Sequence, residues 1–332
     1  MMQKNFLLLN AMKGVAMGIA EVIPGVSGGT IAFITGIYER LLKSIKSIHP
    51  NLIITWKNEG FAAFWKALDG SFLISLLGGM AAGLIFGIFT ITHLLETHPE
   101  PLWGFFFGLI VASIFVMSKE ITKWDVKLMI SLLIGALVAY VITIISPTEG
   151  STNLLYVYLA GTLAICALML PGISGSFILL LMGMYTIIIP LVKGLLISPS
   201  LSSLLIIGVF ALGCLTGLTG FSRILTWLFT KYKAVTFASM IGFLIGSLNK
   251  IWPWRNVTAI ANKESGNVQS ISDYGLLKSL DKETYKILSE QNVLPSNYLM
   301  DEAKVGLTIF SLIAGLIIVL LISYLNNNKV NE

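Results

Sequence analysis

The sequence predicts an all-α polytopic membrane protein with two inverted-topology repeats, each a broken or re-entrant helical hairpin followed by three transmembrane helices. Three observations carry this prediction. Of the 332 residues, 55% are hydrophobic and only 12% charged, a balance found in chains solvated by lipid. Apolar runs of roughly 17 to 25 residues recur, which is the length a helix needs to cross the hydrocarbon core, and a helix satisfies its own backbone there. Finally, one short motif appears in each half of the chain.

In chain order, the first apolar region covers 5–48 and is broken in the middle by IPGVSGG at 23–29. Its leading run carries Glu21 and lacks a small-residue cleavage site, so it reads as part of the mature fold rather than a signal peptide. Spans follow at 71–95, 103–117 and 127–146. A second broken region covers 153–197, and spans at 203–229, 235–250 and 305–325 complete the set. Residues 1–150 are therefore the first repeat and 151–332 the second. The second repeat contains a polar insert, 251–304, with six Lys or Arg and seven Asp or Glu.

Short-loop charge sets the orientation. Arg40, Lys43, Lys46, Lys57 and Lys66 fall in 39–70, Lys119, Lys123 and Lys127 in 118–127, and Lys231 and Lys233 in 230–234. Positive loops stay in the cytoplasm. Residues 96–102 and 146–152 hold no Lys or Arg and face outward. If both broken regions turn back, the N- and C-termini are cytoplasmic and the insert is extracytoplasmic. The net charge of +5 reports this topology, so no nucleic acid partner is implied. Cys166 and Cys214 lie in apolar runs, which argues against a disulfide framework or metal site. No cofactor is implied, and a homo-oligomer is neither required nor excluded. Trp56, Trp65, Trp103, Trp252 and Trp254 read as interfacial anchors.

The recurring motif is PGVSGGTIAFITGIY at 24–38, which aligns with PGISGSFILLLMGMY at 171–185 at a constant offset of 147 with seven identities. A weaker echo relates FGLIVAS at 107–113 to IGFLIGS at 241–247. An odd number of crossings per unit turns the second unit upside down relative to the first. Pro disfavours helix at the residue before it, so the first half-helix is expected to stop near Ile23. Ser27 or Thr30 can cap a second half-helix, as can residues within Ser174–Ser176 in the other unit. Two such positive ends at mid-membrane suit an anion.

Candidate binding residues follow from this. Gly28, Gly29, Gly175 and Ser176 surround the caps. Glu21 is either a proton or cation carrier beside the anion or an interfacial residue paired with Lys13 or Arg40. Arg223 and Arg40 are either headgroup contacts or residues that snorkel to a basic face. No catalytic residue is proposed. His49, His93 and His98 lie near span ends, no His or Cys accompanies either motif, and Glu21 is the only carboxylate near them that the pattern buries, so the nucleophile-with-base or metal of a lipid phosphatase is not provided for. A channel or transporter for a small soluble anion uses the same electrostatics and stays open as an alternative.

On EVIPGVSGGTIAFITGIYERLL and LPGISGSFILLLMGMY, the sequence resembles the bacterial polyprenyl-phosphate transporters of the PopT type. The resemblance implies a flippase-like lipid transporter of the bacterial cytoplasmic membrane. Such a protein moves undecaprenyl phosphate from the outer to the inner leaflet for reuse in cell-wall polymer synthesis. It also implies that Glu21, Ser27, Gly28, Gly29 and Thr30, together with Ser174, Gly175 and Ser176, contact the polyprenyl-phosphate lipid.

Overall fold

The computed structural model describes residues 2–23, 26–49, 51–197, 200–262, 267–271, 274 and 284–330. Pro24 and Gly25, on which the first break was predicted, lie outside the described residues. The chain is mostly helical, and among the described residues five helices are long and apolar enough to cross a membrane, or six if one bent pair is counted as a single span.

The first broken region forms α1 (Met2–Glu21), α2 (Gly28–Ile34) and α3 (Tyr38–Lys46), so α1 stops at Glu21 rather than near Ile23. Two short helices that the sequence reading did not anticipate, α4 (Asn51–Glu59) and α5 (Phe61–Ala67), occupy the basic loop, where Trp56, Phe61, Phe64 and Trp65 stack on one another. The next three spans are α6 (Gly70–Thr97), α7 (Pro99–Ser118) and α8 (Val126–Ile144). The second broken region forms α9 (Leu154–Met169), α10 (Gly175–Leu181) and α11 (Tyr185–Ile197), followed by α12 (Leu201–Lys231), α13 (Lys233–Ser247) and α14 (Val305–Val330). The span expected at 235–250 is a helix of only 15 residues, roughly 22 Å long and short of a full crossing.

The two breaks have the same local construction. Gly36 and Gly183, 147 apart, end the short helices in the left-handed region at φ 71° and 66°, where glycine has no Cβ to clash. In each case a 6→1 bond (Ile37 N to Ala32 O, Met184 N to Leu179 O) accompanies a 5→2 bond (Gly36 N to Phe33 O, Gly183 N to Leu180 O), the pairing that satisfies orphan carbonyls at a helix end. Each broken segment also packs back against chain near its own start. The Leu181 carbonyl accepts from Thr148 N and Oγ1 in the loop ahead of α9, and the chain bends by 108° between α10 and α11. On the opposite face, Arg40 of α3 lies over the Phe6 ring near the start of α1 and pairs with Asp69, just ahead of α6.

Helices then associate in four parallel pairs through glycine. A Cβ at Gly79 or Gly83 would strike the Ala11 or Val15 carbonyl, which ties α6 to α1. Gly213 and Gly161 do the same between α12 and α9, Gly108 and Gly315 between α7 and α14, and Gly242 and Gly135 between α13 and α8. Small residues let membrane helices approach where no hydrophobic gradient drives them together. In the last two pairs, each partner comes from a different half of the chain. Helices α6 and α12 run in opposite directions: α6 ends where Lys304 donates to Thr97 O beside the insert, whereas α12 ends on the other face, where Lys233 pairs with Glu120.

The insert, unreadable in the sequence, contains a three-stranded antiparallel sheet of β1 (Arg255–Asn262), β2 (Val268–Ser270) and β3 (Tyr285–Asn292) in the order β2-β1-β3. Tryptophan bonds brace it internally, and Trp103 and the buried Glu100 of α7 hold it to the span end. The Trp252 and Trp254 indoles donate to Val293 O and Ala303 O, and the Arg255 guanidinium lies 4.5 Å from the centre of the Trp103 ring. All three tryptophans thus pack within or against the insert. Glu100, in the first turn of α7, is fully buried. It accepts from the Tyr298 hydroxyl at 2.7 Å and lies 3.5 Å from Lys304 Nζ. Burial, and then this carboxylate, raise the Tyr298 phenol above its ordinary pKa.

Candidate functional site at the paired breaks

The two breaks meet inside the protein. Ser27 is extended and caps α2 by accepting from Gly29 N, and its hydroxyl donates to Leu168 O at the end of α9. Tyr38 donates to Met169 O at 2.6 Å. In the other direction, Gly172 N donates to Thr30 Oγ1. Three side chains of the first motif thereby satisfy backbone groups at the end of α9 and the start of the second motif, the condition under which irregular backbone survives at membrane depth. Gly29 allows this closeness, since a Cβ there would press on Leu168 O and Met169 O. Ser27, Thr30 and Ser174 are almost wholly buried. Replacing Ser27 with Ala is expected to cost about 1–2 kcal/mol, since it removes a cap and a bond between the motifs, and thermal unfolding of the purified protein measures the loss.

The donors at the start of α2 are engaged within the protein. Gly28 N donates to Glu21 Oε1 at 2.6 Å, so the Glu21 carboxylate sits where the sequence reading placed an external anion. Glu21 pairs with neither Lys13, which donates to Thr35 O, nor Arg40. At the second break, Ser174 caps α10 through Phe177 N and shares a hydrogen bond with Ser176 at 2.8 Å.

Glu21 opens onto a cavity of about 420 Å3 between the two halves of the chain. Gly18 and Glu21 of α1, Leu84 of α6, Leu168 of α9, and Gly175 and Ser176 of α10 line it. Its wall is overwhelmingly apolar, with the Glu21 carboxylate and the Ser176 hydroxyl among its few polar groups. The structure therefore brings Glu21, Gly175 and Ser176 to one space. Ser27, Gly28, Gly29, Thr30 and Ser174 lie in the junction behind it. Arg40 is held by Asp69 through two bonds of 2.6 and 2.8 Å and sits between the Phe6 and Phe72 rings, away from the cavity. Arg223 is exposed on α12 and does not line it. Among the described residues no group of His, Cys, Asp and Glu is placed to hold a metal.

Sequence reasoning missed Glu100, because a carboxylate at a predicted span end reads as solvated. It also missed the glycine pairing, although the four-residue spacing of Gly14 with Gly18, and of Gly79 with Gly83 and Gly87, was visible.

Comparison with known proteins points the same way. A polyprenyl-phosphate transporter of Vibrio cholerae is 42% identical over 289 residues, covering 87% of this chain and 89% of the relative. A polyprenyl-phosphate transporter of Staphylococcus aureus is 33% identical over 264 residues, covering 75% of this chain and 88% of the relative. No solved structure matches the chain. These relatives are named as transporters and not as enzymes. Residues 17–269 match a family model described as undecaprenyl phosphate translocase-like, and the chain belongs to this VCA0040-like family.

Proposed function

We propose that this multi-pass membrane protein carries undecaprenyl phosphate across the bacterial cytoplasmic membrane, from the outer to the inner leaflet, for reuse in cell-wall polymer synthesis. The family description and the relatives' names support the substrate class. The single observation that carries the mechanism is the apolar cavity between the halves, where Glu21 of one motif and Ser176 of the other face the same space. An apolar wall suits a polyprenyl tail, and a few convergent polar groups fix a headgroup. The phosphate displaces the Glu21 carboxylate from Gly28 N and takes over that donor. Glu21, released, accepts a proton or cation and so couples lipid movement to an ion gradient.

In this reading the two halves are inverted-topology repeats and expose the cavity alternately to each leaflet. The matching break geometry, the exchanged pairing of α7 with α14 and α8 with α13, and the opposite directions of α6 and α12 support it. The positive charge of the short loops supports cytoplasmic termini and, with them, an insert on the outer side. The test is reconstitution of the purified protein in liposomes with a labelled short-chain polyprenyl phosphate. Transbilayer movement well above that in empty liposomes is the expected result. Movement equal to that of empty liposomes, with the protein folded, overturns it, and transport of inorganic phosphate in its place moves the function to a soluble anion.

A further inference from the structure

The insert does more than cap the spans. Where β3 approaches the ends of α8 and α13, it encloses a second cavity of about 420 Å3. One side of this cavity is polar, with Asn249, Lys250, Arg255, Glu290 and Asn292. Lys250 Nζ and Arg255 Nη1 both converge on Glu290 Oε2, at 3.3 and 2.9 Å, so two cations share one carboxylate oxygen. Burial alone would raise the Glu290 pKa, but the neighbouring Arg255 and Lys250 charges hold it below its ordinary value. The opposite side is apolar and faces outward: Tyr140, Ile144 and Ile145 at the end of α8, with Ile287 of β3, all stand exposed on the protein surface.

The floor leads toward the second break. Lys250 Nζ lies 5.4 Å from the centre of the Phe177 ring in the first turn of α10. Lys250, Phe177 and Thr143 also line a small adjoining space bounded by Gly172 and Ser174. Asn249 is held in place by bonds to Thr143 and from Asn292, so the polar side is built from α8, α13 and the sheet together.

We propose that this cavity is a loading site for a phosphate monoester on an apolar tail, in which the phosphate displaces Glu290 from Lys250 and Arg255 while the tail leaves over the exposed face of α8. The inference rests on the lipid-phosphate reading above and gives the insert its role within it. The charge favours such a ligand, because among the described residues Lys250 and Arg255 meet one anion, Glu290, and a phosphate restores the balance that Glu290 gives up. The apolar flank distinguishes a lipid phosphate from the free ion. Arg255 supplies the planar fork suited to phosphate oxygens, and Lys250 a mobile point charge.

The test uses the full chain in detergent, with binding of a short-chain polyprenyl phosphate followed by tryptophan fluorescence, and with the uncharged polyprenol and inorganic phosphate as comparison ligands. Lys250→Gln is expected to weaken binding of the lipid phosphate about tenfold. Glu290→Gln, which removes the competing anion, is expected to strengthen it severalfold. A purely structural ion cluster predicts weakening or no change in both variants, with parallel losses of thermal stability, and that result overturns the proposal. Inorganic phosphate binding as tightly as the lipid overturns the assignment to a tailed ligand. A parent that transports the lipid while both variants match it in binding and rate removes the loading site and leaves the transport reading standing. A parent that neither binds nor moves the lipid removes both.

Discussion

Replacing Glu21 with glutamine is expected to slow lipid-phosphate movement by about tenfold or more and to make the remaining rate insensitive to a pH gradient, while the fold is preserved. The amide oxygen of Gln still accepts from Gly28 N, whose bond to Glu21 Oε1 is 2.6 Å, so the break keeps its internal partner. What disappears is the negative charge that competes with the phosphate and then carries the ion. A tenfold loss corresponds to about 1.4 kcal/mol of barrier, modest beside the interactions of a charged group in a cavity with an apolar wall. The measurement is a transport rate in liposomes with and without an imposed pH gradient, read beside a thermal unfolding curve. If the variant moves lipid as fast as the parent under the gradient, Glu21 has no coupling role.

Replacing Gly83 with leucine is expected to destabilise the protein strongly, lowering its melting temperature and its yield of folded material. Its Cβ would strike the Val15 carbonyl and Cα, and backbone cannot move aside as a flexible side chain does. Overpacking at one such contact costs about 1–3 kcal/mol, and here it also separates α1 from α6 next to Gly18 and Glu21, deforming the cavity. Gly78 on the same helix is the control, since a Cβ there meets nothing within 4 Å, and Gly78→Leu is expected to express and transport like the parent. Size-exclusion profiles and melting curves of the two variants separate the outcomes, and equal behaviour would mean that the α1–α6 contact is not a structural requirement.

The parts of this fold legible in the sequence are those governed by a one-dimensional signal. Uninterrupted apolar runs located α6, α7, α8, α12 and α14 to within a few residues, because lipid imposes a length. The cap on α2 was legible as Ser27 or Thr30, and Ser27 is the one that caps, whereas the left-handed turns at Gly36 and Gly183 were visible only as identities between the motifs. Partner choice was not legible. Ser27 with Leu168, Thr30 with Gly172 and Tyr38 with Met169 are contacts across more than a hundred residues, and no local preference encodes them. For the same reason the expectation of two open helix ends facing an anion left out the Glu21 carboxylate, which occupies one of them. Arg40 was ambiguous until Asp69, across the α4 and α5 helices, was seen beside it. The insert docks on Trp103 and Glu100 through Arg255, Tyr298 and Lys304, and the sequence of 251–304 alone does not show those partners.

The exchanged pairing of α7 with α14 and of α8 with α13 sets a timetable for biosynthesis. When Ser118 has been made, the helix that covers the Gly104 and Gly108 face of α7 begins about 190 residues further on, at Val305. At about 5–20 residues per second, α7 waits roughly 10–40 s in the bilayer with that face bare, and α8 waits for α13. The first half of the chain is therefore a provisional intermediate, and its completion is deferred until the last helix leaves the ribosome.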